Sequence, residues 1–101
     1  MPKQWIKTEN DIRRLRESGR RLALVLQEVM AAVRPGISTA DLDVLSEKRI
    51  REQGGIPIFK GYNAGMGRPF PASVCISLNN EVVHGIPNES VKTLKEGDIV
   101  G

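Results

Sequence analysis

Six apolar residues, Ile12, Leu15, Leu22, Val25, Val29 and Val33, recur at mostly three- and four-residue intervals, which places them on one face of a helix about 25 residues long. Thr8, with Asp11 three residues later, reads as the start of that helix. A hydroxyl there accepts an orphan backbone N–H, and the acid complements the positive helix end. Gly19 weakens the helix modestly, and Pro35-Gly36 ends it, because proline disfavours helical geometry in the residue before it. The same start signal returns at Ser38 and Asp41, followed by Leu42, Leu45 and Ile50 at roughly helical spacing and a stop at Gly54-Gly55. So short a connection makes the two helices neighbours on a common surface.

Past Gly55 the pattern changes. Ile56-Pro57-Ile58-Phe59 is a short apolar run that reads as an edge strand because of its proline. Residues 60–72 are rich in Gly and Pro and read as a loop. Residues 73–78 alternate small or polar with apolar side chains, the mark of a half-buried strand. Asn79-Asn80 marks a turn, Glu81-Val82-Val83-His84 a returning strand, and Gly85-Ile86-Pro87-Asn88 a further turn. Ile99-Val100 opens a strand whose backbone groups and apolar side chains need a continuation, so residues 1–101 are expected to be a single partial domain. There is no internal repeat or linker. Helices first and strands second give an α+β class.

Composition adds limits. The 101 residues are 40% hydrophobic and 27% charged, ordinary for a globular chain. A chain this short buries only roughly two-thirds of its unfolded surface, so its stability margin is expected to be thin. The net charge of +3 is uneven: residues 1–34 hold eight Lys or Arg against four acids, and the rest is near neutral. That basic third would suit RNA or a ribosomal surface. Its alternation with acids fits the solvated face of an amphipathic helix better. The single cysteine excludes an internal disulfide and agrees with a reducing cytosol. No apolar run approaches the ~20 residues of a membrane span, and the N-terminus lacks an apolar signal core, so a cytoplasmic location is expected.

Three groups could carry chemistry. His84 is the only histidine and can donate, accept or carry charge near neutral pH; on composition alone it reads as structural. Cys75 reads as a small buried hydrophobe. As a nucleophile it would need the histidine nine residues away, and as a metal ligand it lacks companions at a usual spacing. Phe59, Tyr62 and Phe70 are ordinary core or the walls of an apolar pocket.

The 13 residues from Cys75 to Pro87, CISLNNEVVHGIP, resemble the signature of type I methionine aminopeptidases, C-x-S-x-N-x-x-V-x-H-G-I-P, at every named position. Gly61-Tyr62 and Phe70-Pro71 are similar to that family's G-Y and aromatic-Pro pairs. Ile6-Lys7-Thr8, Pro35-Gly36-Ile37-Ser38-Thr39 and Leu42-Asp43 are similar to its opening helices. Leu94 to Val100 is similar to the approach to its first metal-binding strand. The resemblance implies the incomplete first half of a pita-bread fold, two N-terminal helices followed by antiparallel strands. It implies removal of the initiator methionine from nascent chains, with two divalent ions (Co, Mn, Fe or Zn) held by two Asp, one His and two Glu. All five ligands are expected beyond Gly101. None is assigned to Asp98 or to any other residue here, so the 101 residues alone are expected to be inactive and to bind no metal. By resemblance His84 is catalytic and holds the substrate backbone, while Tyr62, Phe70, Cys75 and, more weakly, Phe59 wall the methionine pocket. The segment between Tyr62 and Phe70 is longer than the commonest family pattern by about five residues, which bears on the pocket's shape. The implied protein acts as a monomer on N-terminal Met peptides near the ribosome, without membrane or DNA. The alternative is a non-catalytic pita-bread module that binds protein or ribosomal RNA.

Overall fold

The computed structural model describes residues 5–62 and 67–101. Helix α1 spans Glu9–Ala32 and helix α2 spans Thr39–Glu52. Both open at the expected N-caps, and there the acid closes a reciprocal capping box. The Thr8 hydroxyl accepts the Asp11 N–H at 3.1 Å, and Asp11 Oδ2 accepts the Thr8 N–H at 2.9 Å. Ser38 and Asp41 repeat the exchange at 3.0 and 3.3 Å. Each box satisfies two donors that a bare helix end would leave to water. At the far end of α2, Gly54 takes a φ of 80°. The Gly54 N–H then reaches Arg51 O and the Gly55 N–H reaches Ile50 O, both at 2.9 Å, a Schellman closure. The helices are laced by an ion pair between Arg49 Nε and Glu28 Oε2 at 2.6 Å and by Arg21 donating to Gln53 O at 3.0 Å.

The core is Ile37, Leu42, Ile76, Leu78 and Leu94, with Val29, Ala32, Val74 and Val100 packed against it. It lies where the connection between the helices meets the extended C-terminal half. The α1 face expected to be buried is only half used: Val25 is 5% exposed, but Leu15 is 58% and Leu22 61% exposed. A helix of 24 residues runs about 36 Å at 1.5 Å per residue, and its N-terminal half leaves these side chains exposed. Consistently, the radius of gyration is 15.7 Å, above the ~13 Å of a compact domain of about 100 residues.

The C-terminal half departs from the expected strands. Among the described residues it carries isolated antiparallel bridges, Ser38 with Thr93 and Leu78 with Val100. Ser77 and Gly101 exchange both backbone bonds at 2.8 Å, and the Asn79 N–H donates to Ile99 O at 2.8 Å. The partner of residues 77–79 is therefore 99–101, not the returning segment 81–84. On the opposite edge Glu81 Oε1 accepts the Leu78 N–H at 3.0 Å, the donor a hairpin would need, and Val82 and Val83 are exposed to solvent. The edge strand expected at 56–59 is instead a run of turns, with Lys60 N–H donating to Pro57 O at 3.2 Å and Tyr62 N–H to Phe59 O at 3.0 Å. Part of the longer segment between Tyr62 and Phe70, residues 63–66, lies outside the described residues.

Acid should loosen α1. Hydrogen bonds from Arg20 and Arg21 hold the Glu17 carboxyl at about 2, against an ordinary 4.5. The unfolded chain therefore binds this proton at a higher pH than the folded one. The stability from Glu17 is complete above about 4.5 and is lost as pH falls toward about 2. Backbone N–H groups of Thr8, Leu78 and Lys95 lower Asp11, Glu81 and Asp98 in the same sense. Helical circular dichroism should fall across that window, and less so at high salt, because the Glu17 cluster is exposed and screened. A signal flat down to pH 2 would contradict these carboxylate roles.

Candidate active-site loop

Residues 84–87 form a loop held at Gly85 N–H, Gly85 O and Pro87 O, while His84 itself stays exposed. His84 takes a φ of 59°, the left-handed region, which costs a residue with a Cβ roughly 1–2 kcal/mol. Gly85 is then held on both sides, by one bond to each of the peptides that flank it. The buried Ser77 hydroxyl accepts the Gly85 N–H at 3.0 Å, and the Ile76 N–H donates to Gly85 O at 3.0 Å. Gly85 lies so close to the neighbouring backbone that a Cβ there would sit 1.9 Å from Ile76 O. Two residues on, the Thr39 hydroxyl donates to Pro87 O at 2.8 Å and accepts the Lys92 N–H at 3.1 Å. The first turn of α2 thereby grips the end of the loop. One turn later the buried Asp43 accepts the Ser73 and Val74 N–H groups at 2.8 and 3.2 Å, fixing the segment that carries Cys75.

The outcome is an exposed imidazole on a fixed backbone, with His84 Nδ1 3.9 Å from Cys75 Sγ. A cavity of about 190 Å³ beside it is lined by His84, Thr39, Ile76, Glu81, Pro87 and Lys92, among others. There Glu81 and Lys92 pair at 3.1 Å. Cys75 also lines a larger apolar groove of about 460 Å³ on the side of the two helices.

The expected aromatic residues form a second group. Phe59 and Phe70 meet edge to face with centroids 6.5 Å apart. Tyr62 joins through the backbone: Phe70 N–H donates to Tyr62 O at 2.9 Å, and Gly61 N–H to Phe70 O at 2.8 Å. Neither cavity is lined by these rings. The two groups are tethered, since Asn88 donates to Pro71 O at 2.9 Å and Arg68 pairs with Glu89. Sequence reasoning missed Ser77, Thr39 and Asp43. All three fall within the family-like segments, Ser77 as a named position of the signature, but nothing local gives any of them a role.

Valine at Thr39 has the same shape but leaves Pro87 O and Lys92 N–H unpaired. Thr39→Val should cost about 1–3 kcal/mol in urea unfolding. A change within experimental error would mean that water replaces the hydroxyl.

The sequence profile described as metallopeptidase family M24 matches residues 13–101. The chain belongs to that family. It is 47% identical over 93% of its length to methionine aminopeptidase 1 of Bacillus subtilis, covering 35% of that protein. It is 43% identical over 94% of its length to the methionine aminopeptidase of Escherichia coli strain K12, covering 34% of it. Among solved structures, the Rickettsia prowazekii methionine aminopeptidase matches with a TM-score of 0.83 at 38% identity, over 94% of this chain and 36% of that one. The Thermotoga maritima enzyme gives 0.82 at 36% identity, with the same coverage. The fold is thus that of the corresponding part of these enzymes, and the chain spans about a third of their length.

Membership of M24 implies divalent metal ions in the complete enzyme. Among the described residues no three His, Cys, Asp or Glu side chains come together to hold one. Nearby acids are engaged otherwise: Asp98 accepts from Lys95 N–H and Asn79, and Glu81 from Leu78 N–H and Lys92. These residues do not fit the ions, and no step of the chemistry below passes through them. No described helix is long and apolar enough to cross a membrane.

Proposed function

We propose that residues 1–101 are the N-terminal part of a methionine aminopeptidase catalytic domain, whose activity is removal of the initiator methionine from nascent chains by metal-dependent hydrolysis. The observation that carries this reading is the His84 loop. A backbone that is strained and clamped, yet leaves its imidazole open beside a thiol, is arranged to present that ring to a ligand. His84 hydrogen-bonds the substrate peptide at the scissile bond and can pass a proton to the departing amine. Cys75, Phe59, Tyr62 and Phe70 supply soft apolar walls for the thioether side chain. The divalent ions, Co, Mn, Fe or Zn, belong to ligands outside the described residues. In this reading residues 77–79 and 99–101 begin the antiparallel sheet of a pita-bread half. The enzyme works as a cytoplasmic monomer that meets N-terminal Met peptides near the ribosome.

The test is release of free methionine from a Met-Ala-Ser peptide by the gene product that carries residues 1–101. Release should require added Co²⁺ or Mn²⁺ and stop with EDTA; no metal-dependent release would overturn the reading. The 101 residues alone should show no turnover, and measurable turnover would place the ligand set within them.

A further inference from the structure

We propose that Ser77 is a positioning residue for His84, its hydroxyl fixing the direction in which the imidazole is presented. The hydroxyl's hydrogen bond goes to the Gly85 N–H and not to the ring, so it acts through one peptide plane. The ψ angle of His84 is set by where the Gly85 N–H points, and that N–H is held by Ser77 Oγ at 3.0 Å in a buried site. The far side of Gly85 is held independently by Ile76 N–H. Free of Ser77, His84 could relax from its positive φ toward the ordinary region, carrying the ring away from Cys75. The backbone bonds between Ser77 and Gly101 hold the serine itself, so the hydroxyl is aimed by the extended pair and not by the loop it restrains. That His84 touches substrate rests on the reading above. That Ser77 directs His84 does not, because it concerns geometry within this chain.

His84 and Cys75 are the sole histidine and cysteine, so each gives one set of NMR signals. In the 101-residue chain the imidazole protons should show a nuclear Overhauser contact to the Cys75 β-protons. Ser77→Ala should abolish that contact and move or split the imidazole signals. Ser77→Thr, which keeps the hydroxyl, should restore a single set with the contact. Val25→Ala, which lowers stability from a buried position on α1, should leave the contact intact. An unchanged contact in Ser77→Ala would overturn the proposal, as would an equal loss in Val25→Ala. If Ser77→Ala does not fold, the double variant Ser77→Ala/His84→Gly decides. Glycine takes a positive φ freely, so the double variant should recover a cooperative melt, and failure to recover would also overturn the proposal. No peptide or ion enters these measurements. A negative result therefore leaves the aminopeptidase reading standing, and a failure of turnover leaves the positioning standing.

Discussion

Gly85→Ala should leave the chain unfolded at room temperature rather than merely less stable. The added Cβ would lie 1.9 Å from Ile76 O and 2.7 Å from Ile76 C, and both are backbone atoms that no rotamer change can move. Relief requires shifting residues 84–85 away from 76–77. That breaks the Ile76–Gly85 and Gly85–Ser77 bonds together and displaces Ile76 from the core. A buried clash with loss of two bonds falls in the class of substitutions costing about 4 kcal/mol or more. Domains hold only about 5–15 kcal/mol in total, and this one carries much exposed apolar surface. Gly19→Ala is the matched control. It adds the same methyl group in the middle of α1, where nothing lies within 4 Å, so it should stabilise by about 0.5–1 kcal/mol. Gly85→Ala should show no cooperative thermal melt, and Gly19→Ala should melt above the parent. A cooperative Gly85→Ala melt within a few degrees of the parent would show that the loop yields more easily than its contacts indicate.

The contrast between those glycines shows which features a sequence displays. Both N-caps and their acids were legible because every partner lies within three residues of its mate. The close approach at Gly85 was not, because its neighbour Ile76 is set by folding and not by spacing. Strand pairing failed for a similar reason. The apolar alternation of 73–78 and 81–84 fits a hairpin, but Glu81 takes the Leu78 N–H on the edge that hairpin would use, and the opposite edge pairs with 99–101. Periodicity identified the apolar side of α1 but carries no measure of how far its neighbours extend, so Leu15 and Leu22 were expected in a core that does not reach them. At the site, the motif named His84 and Cys75, which meet as a pair, and the aromatic residues, which meet one another. The contacts of Thr39 and Asp43 were not legible because their partners lie 48 and 30 residues away. Their polarity reads as helix surface until the loop and the Cys75 segment fold onto α2.

Replacing His84 by alanine in the gene product that carries residues 1–101 should lower kcat for Met-Ala-Ser by about 10²–10⁴, the range for loss of a positioned proton-transfer group. KM should change little, because the walls of the methionine pocket remain. The choice of substitute separates chemistry from folding. Alanine keeps the strained positive φ and loses the ring, so it should lose activity with little effect on unfolding. Glycine also loses the ring but removes a strain of roughly 1–2 kcal/mol. Against this stands about 0.5–1 kcal/mol of added freedom in the unfolded chain, so His84→Gly should be inactive yet slightly more stable than the parent. A residue whose removal steadies the fold is retained at a cost to stability, which is the expected balance where strain is kept for what the side chain does. If His84→Gly retained turnover within a factor of a few, the imidazole would have no part in hydrolysis. If it were markedly less stable than the parent, the ring would be serving the fold instead.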